Sequence, residues 1–305
     1  MNTDKAGDLM RWASRAAIAV ASLLLAAKAY AWWSSGSIAM QGSFADSALD
    51  LAASLVTFVA VKTALEPADD THRFGHGKAE ALAGLFQAAI MSGSAMYLLL
   101  EAISRLWQPS AVAASELVIA VSSLAIVMTL FLVMFQSYVV KRTGSLAIAG
   151  DHLHYKGDLL LNLGVIVAAY ASASGYMYAD GIFGALISFY ILWGAWSIAV
   201  PAVDMLMDKE LSDDDREIIV NLALGNSLVM GIHDLKTRTS GRATFIQMHL
   251  EVSGKITVQE GHTISDEVEA TVGEQFPAAE ILIHIDPPTG RSADLTVNEL
   301  KKYKD

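Results

Sequence analysis

Four stretches of the chain, residues 81–100, 117–140, 159–179 and 181–203, contain no charged residue. Each is long enough to cross a bilayer as a helix, which takes about 20 residues at about 1.5 Å per residue. Two further apolar runs precede them: Ala16–Trp33, interrupted by Lys28, and Ile38–Val61, interrupted by Asp46 and Asp50. The pattern therefore predicts six membrane helices within residues 1–208. Only Asp180 separates the last two, so the Ser-Ala-Ser-Gly segment at 172–175 must supply a tight turn. After residue 208 the pattern becomes that of water-facing structure. A helix is predicted over Asp213–Leu224, strands over Ile232–Thr239 and Thr244–Val252, a helix over Val258–Phe276 and a strand over Glu280–Asp286. This order describes a small α+β layer of the ferredoxin-like or metallochaperone-like kind, over residues 209–290. Residues 291–305, past Pro287-Pro288, carry little apolar content and read as a loose end.

Composition agrees with a membrane body carrying a polar tail. Of 305 residues, 53% are apolar and 17% charged, with a mean hydropathy of +0.41. The net charge of −11 argues against a nucleic-acid partner, because phosphate binding needs clustered positive charge. With no cysteine, disulfides, thiolate metal sites and a cysteine nucleophile are excluded, and any metal must be held by His, Asp and Glu.

Lys5, Arg11, Arg15, Lys62, Arg73, Lys78, Lys141, Arg142 and Lys209 fall on one side of the predicted spans, and only Arg105 on the other. The positive-inside rule then makes the N-terminus, the 62–80 loop and the C-terminal domain cytoplasmic. The N-terminal apolar run leads into more membrane, not into a small-residue cleavage site, so it is expected to be retained.

The charges inside the spans carry the chemistry. Asp46 and Asp50 stand at i and i+4 in the second span, as do His154 and Asp158 in the fifth, so each pair shares a helix face. The two helices run in opposite directions. Counting along them puts the first pair roughly 12 and 18 Å from the outer edge and the second roughly 15 and 21 Å from the inner edge, all near the midplane. Carboxylates there cost about 2.5–3.5 kcal/mol each unless compensated. One imidazole and three carboxylates make a tetrahedral shell that suits Zn²⁺ better than Ca²⁺ or Mg²⁺. The alternative is that the Asp residues are structural partners of Lys28, Arg15 or helix hydroxyls. His152 points to another face and is expected to be no ligand.

Two more clusters lie outside the spans. In the loop Pro67–Glu80, Asp69, His72 and His76 could converge on a metal if Gly75 and Gly77 let the chain fold back, or could remain solvated. In the C-terminal domain, strand alternation sets Ile246, Met248, Leu250 and Val252 against a second face with Phe245, Gln247, His249 and Glu251. His284 and Asp286 likewise oppose Ile281, Ile283 and Ile285. With His233 and His262, this region holds half of the chain's eight histidines, either as a metal site or as scattered surface groups.

The DxxxD of span two, the Asp-Asp-x-His-x-x-Gly-His-Gly-Lys-x-Glu loop, the HxxxD of span five, the six spans and the C-terminal domain together resemble the cation diffusion facilitators, in their zinc/iron-type branch. The likeness covers nearly the whole chain. It implies a homodimeric Zn²⁺/H⁺ antiporter working by alternating access in a bacterial inner membrane, with Fe²⁺, Cd²⁺ or Mn²⁺ as other cargoes. It also implies that Asp46, Asp50, His154 and Asp158 form the transport site and that Asp69, His72 and His76 form a loop site. His233, His249, His262, His284 and Asp286 would form a two-zinc site at the interface of the C-terminal domains. Lys78 would pair with Asp208 to lock the protomers. Two rivals are a membrane metallohydrolase, which would keep an open coordination position and a spare general base, and a membrane-anchored metal sensor, which leaves the buried carboxylates unexplained.

Overall fold

A computed structural model of the protein describes residues 3–35, 38–107, 116–174, 176 and 178–288. The loose end expected at 291–305 lies outside them. The chain divides into two compact units, Met1–Val203 and Asp204–Asp305.

The first unit is helical: α1 (Thr3–Ser35), α2 (Ile38–Ala64), α3 (Lys78–Trp107), α4 (Glu116–Thr143), α5 (Leu146–Ala173) and most of α6 (Ala179–Leu206). Among the described residues, α1, α2, α3, α4 and α6 contain stretches long and apolar enough to cross a membrane. α5 begins 13 residues before the charge-free run at 159 and carries Asp151, Lys156 and Asp158 in its first half. It starts there because Thr143 and Ser145 punctuate the chain: Thr143 Oγ1 donates back to the Val139 carbonyl, and Ser145 Oγ accepts from the Ile148 N–H. A hydroxyl at that position satisfies one of the four free amides of a helix start.

Helix α1 packs on α2 and α4, and α5 packs on α3, α4 and α2. The inner faces are built from small and branched residues, among them Met10, Ala13, Val61, Ala83, Val139, Ala147 and Ile148. The outer faces are apolar as well. Tyr97, Phe131 and Trp193 are each exposed by about 70%, an arrangement that suits lipid as the surrounding solvent.

The second unit is α7 (Asp213–Leu224), β1 (Gly231–Ser240), β2 (Ala243–Glu251), α8 (Val258–Gln275) and β3 (Ala279–Asp286). Its sheet runs β1-β2-β3, with β1 antiparallel and β3 parallel to β2. This is the predicted order, helix, strand, strand, helix, strand. Ser212 caps α7, and Thr257 with Glu260 forms a capping box at α8. Ile246, Met248, Leu250 and Val252 line the core with Ile264, Val268 and Val272 of α8. Truncating one of these to Ala costs about 2–5 kcal/mol. The opposite face differs from the expectation at Phe245 and Glu251, which are both buried; the Arg238 guanidinium lies 4.4 Å from the centre of the Phe245 ring.

Candidate metal sites

The first site lies where α2 meets α5. His154 Nε2 is 2.9 Å from Asp50 Oδ1 and 3.6 Å from Asp158 Oδ2. A ligand atom from each of the three residues lies within 4.8 Å of the others. His154 is buried and the two carboxylates are partly so. Asp46, one turn earlier on α2, is exposed and stands outside this group. His152 does not join it either. It faces a cavity of about 320 Å³ between α5 and α6, shared with Lys156, Tyr190 and Trp193.

Beside the site lies a polar network that sequence reasoning missed. Asp151 is fully buried, accepting from Gln136 Nε2 of α4 at 2.6 Å and from Ser54 Oγ of α2 at 3.1 Å. The Tyr155 hydroxyl is 2.8 Å from the same Ser54 oxygen. On the same stretch of α2, Gln87 of α3 donates to the Ala53 carbonyl and to Thr57 Oγ1, both at 3.1 Å. Gln87 and Gln136, like Asn162, are visible as amides inside charge-free runs. Nothing in their spacing, however, says which helix each would meet. The second ring nitrogen of His154, Nδ1, is 3.1 Å from Met91 Sδ of α3.

The loop between α2 and α3 folds around Asp69. Its Oδ1 accepts from the backbone N–H of His72 at 2.6 Å and of Thr71 at 2.8 Å, and from the Thr71 hydroxyl at 2.9 Å. These bonds, the His72 amide first, hold its carboxyl well below the usual carboxylate range. His72 Nδ1 and His76 Nε2 each lie 3.4 Å from Asp69, and their rings are 4.6 Å apart. Gly75, at φ +74°, makes the reversal that brings His76 back. Asp69, His72 and His76 are thus brought together.

The sheet of the second unit aligns three histidines. His233 pairs in register with His249, and His249 with His284. Asp286 then reaches all three: His249 Nδ1 at 2.8 Å, His284 Nε2 at 3.3 Å and His233 Nε2 at 3.4 Å. The His249 hydrogen bond lowers the Asp286 pKa most, with the other imidazoles adding to it. His233 Nε2 is buried and makes no hydrogen bond. His233, His249 and Asp286 form the tight group. His262 is exposed on α8 beside Asp266 at 3.6 Å, away from that group. Asp208, at φ +55° after α6, accepts from Arg238 Nη1 at 3.2 Å, while Lys78 begins α3 in the other unit.

Comparison with known proteins agrees with both units. Residues 14–207 match the cation efflux transmembrane domain, and residues 211–288 match the cation efflux protein cytoplasmic domain. A cation-efflux pump FieF from Yersinia enterocolitica is 42% identical over 279 residues, covering 92% of this chain and 93% of that one. The FieF pump of Escherichia fergusonii is 41% identical over 281 residues, covering 92% and 94%. The membrane-type helices, the acidic and histidine clusters and these matches lead to one conclusion: the chain belongs to the cation diffusion facilitator (cation efflux) family, as a transporter and not an enzyme.

Proposed function

We propose that the protein exports Zn²⁺ in exchange for protons, as a homodimer in a bacterial inner membrane. The single observation that carries this reading is the convergence of Asp50, His154 and Asp158 inside the helical unit. Intramembrane ionisable groups are costly and functional by default. An imidazole nitrogen with carboxylate oxygens suits Zn²⁺, with Fe²⁺, Cd²⁺ and Mn²⁺ as poorer or alternative cargoes. Asp46, at i−4 from Asp50, is one turn away and completes the tetrahedral shell when the ion is bound. The ligands must be deprotonated to bind, so protons compete with the cargo and an inward proton gradient drives release.

In this reading residues 1–208 form six spans with both termini cytoplasmic. α5 counts as the sixth because His154 and Asp158 join the site and Asp151 is satisfied by Gln136 and Ser54 of neighbouring helices. Residues 209–290 form the cytoplasmic domain. There His233, His249, His284 and Asp286 would hold zinc that steadies the dimer, while Asp69, His72 and His76 would hold a loop ion. Lys78 would reach Asp208 across the dimer. The FieF relatives, named as cation-efflux pumps, support export as the direction. The test is zinc flux into proteoliposomes under a pH gradient. Asp50→Ala and His154→Ala are expected to reduce it to background, and undiminished flux in either would overturn the assignment.

A further inference from the structure

We propose that Met91 is a positioning residue for the cation site: when an ion is held through Nε2 of His154, the Met91 thioether accepts the ring's Nδ1–H and keeps Nε2 turned toward the ion. This rests on the reading of Asp50, His154 and Asp158 as the transport site. A neutral imidazole carries one N–H, and the group bonded to the other nitrogen decides which nitrogen can ligate. Nε2 faces Asp50 and Asp158, whereas Nδ1 faces Met91 Sδ at 3.1 Å. The sulfur is held in place. Met91 is buried among Ala88, Ala95, Leu153 and Ile191. On its other side, a side chain at Gly157 would come within 3.1 Å of the Met91 methyl and 3.2 Å of Ile191, so the glycine provides the space in which the thioether sits.

The choice of acceptor has a consequence for transport. A ligating histidine ordinarily donates its second N–H to a carboxylate or carbonyl, which makes the ring a stronger ligand. A thioether is a weak acceptor. It orients the ring without strengthening its grip, which suits a site that must release its ion on every cycle.

The experiment uses the full chain in lipid bilayers, labelled with ¹⁵N-histidine and loaded with zinc, the His154 signal being identified by its loss in His154→Ala. In the native chain Nδ1 is expected to be protonated and Nε2 metal-bound. Met91→Leu, close in volume but without an acceptor, should let the ring turn, spreading His154 over Nε2-bound and Nδ1-bound forms, and raise the KM for zinc flux by about 10-fold or more. Met91→Gln, whose amide oxygen accepts, should restore both. An unchanged His154 signal and KM in Met91→Leu would overturn the proposal. So would zinc–sulfur scattering at the zinc absorption edge that disappears in that variant, since Met91 would then be a ligand. Flux that survives His154→Ala would overturn the transport-site reading itself, a result separable from any at Met91.

Discussion

Gln136 Nε2 donates a 2.6 Å hydrogen bond to Asp151 Oδ2, joining α4 to α5 through a carboxylate with no exposed surface. With Ser54 on α2 as a second donor, this contact ties three helices together less than one helical turn from His154. Removing one partner leaves a buried polar group unsatisfied, at about 1–3 kcal/mol for a neutral group and more for a charged one. Gln136→Leu is therefore expected to lower the thermal unfolding midpoint of the purified protein. Combining it with Asp151→Leu, which removes the orphaned carboxylate, should recover part of the loss.

Asp46 and Asp50 should not be equivalent in transport. Asp50 touches His154 directly, whereas Asp46 stands outside the three-residue group. Asp46→Ala is expected to leave a three-ligand site that raises the KM for zinc at least about 10-fold with residual flux, in contrast to the complete loss in Asp50→Ala. Side-by-side flux curves across zinc concentrations check this.

In the loop, Asp69 organises the backbone and also presents an oxygen to both histidines. Asp69→Ala should abolish one zinc per chain by titration calorimetry. Asp69→Asn, which can still accept from the His72 and Thr71 amides, should keep the turn but bind that zinc more weakly, since it lacks the charge. Equal stoichiometry in all three proteins would show that the loop holds no ion.

The C-terminal sheet should depend on pH with a defined sign. Asp286 has a lowered pKa, chiefly through His249. Its contribution to stability is therefore present above the ordinary Asp value of about 3.9 and is lost as pH falls through the lowered one. In metal-free protein, the protection of the β2 and β3 amides against hydrogen exchange, taken relative to the intrinsic rate at each pH, is expected to fall below about pH 4 in the native chain. Asp286→Asn should show faster exchange already at neutral pH, without that acid step.

The clusters differed in how far they could be read from the chain. Asp50 was legible because a charge inside an apolar run is conspicuous, and His154 and Asp158 because an i, i+4 spacing has one geometric meaning on a helix. The loop cluster was legible because Asp69, His72 and His76 lie within eight residues of one another. The histidines of the sheet could be assigned to a face. Their alignment as His233, His249 and His284 is instead a matter of strand register, which depends on the irregularity between His233 and Lys236 in β1.

The sequence by itself determined the helical membrane-type unit, the α+β order of the second domain and the ligand chemistry, because hydrophobic period and the absence of cysteine are properties of the chain alone. Only the tertiary structure decided the companions of those ligands: Met91 beside His154, Gln136 and Ser54 on Asp151, and Arg238 over Phe245. Each of these contacts joins residues that are far apart in the chain or sit in different elements. Helical and strand periodicity report which face a residue occupies, whereas the neighbour it meets is set by how the elements pack.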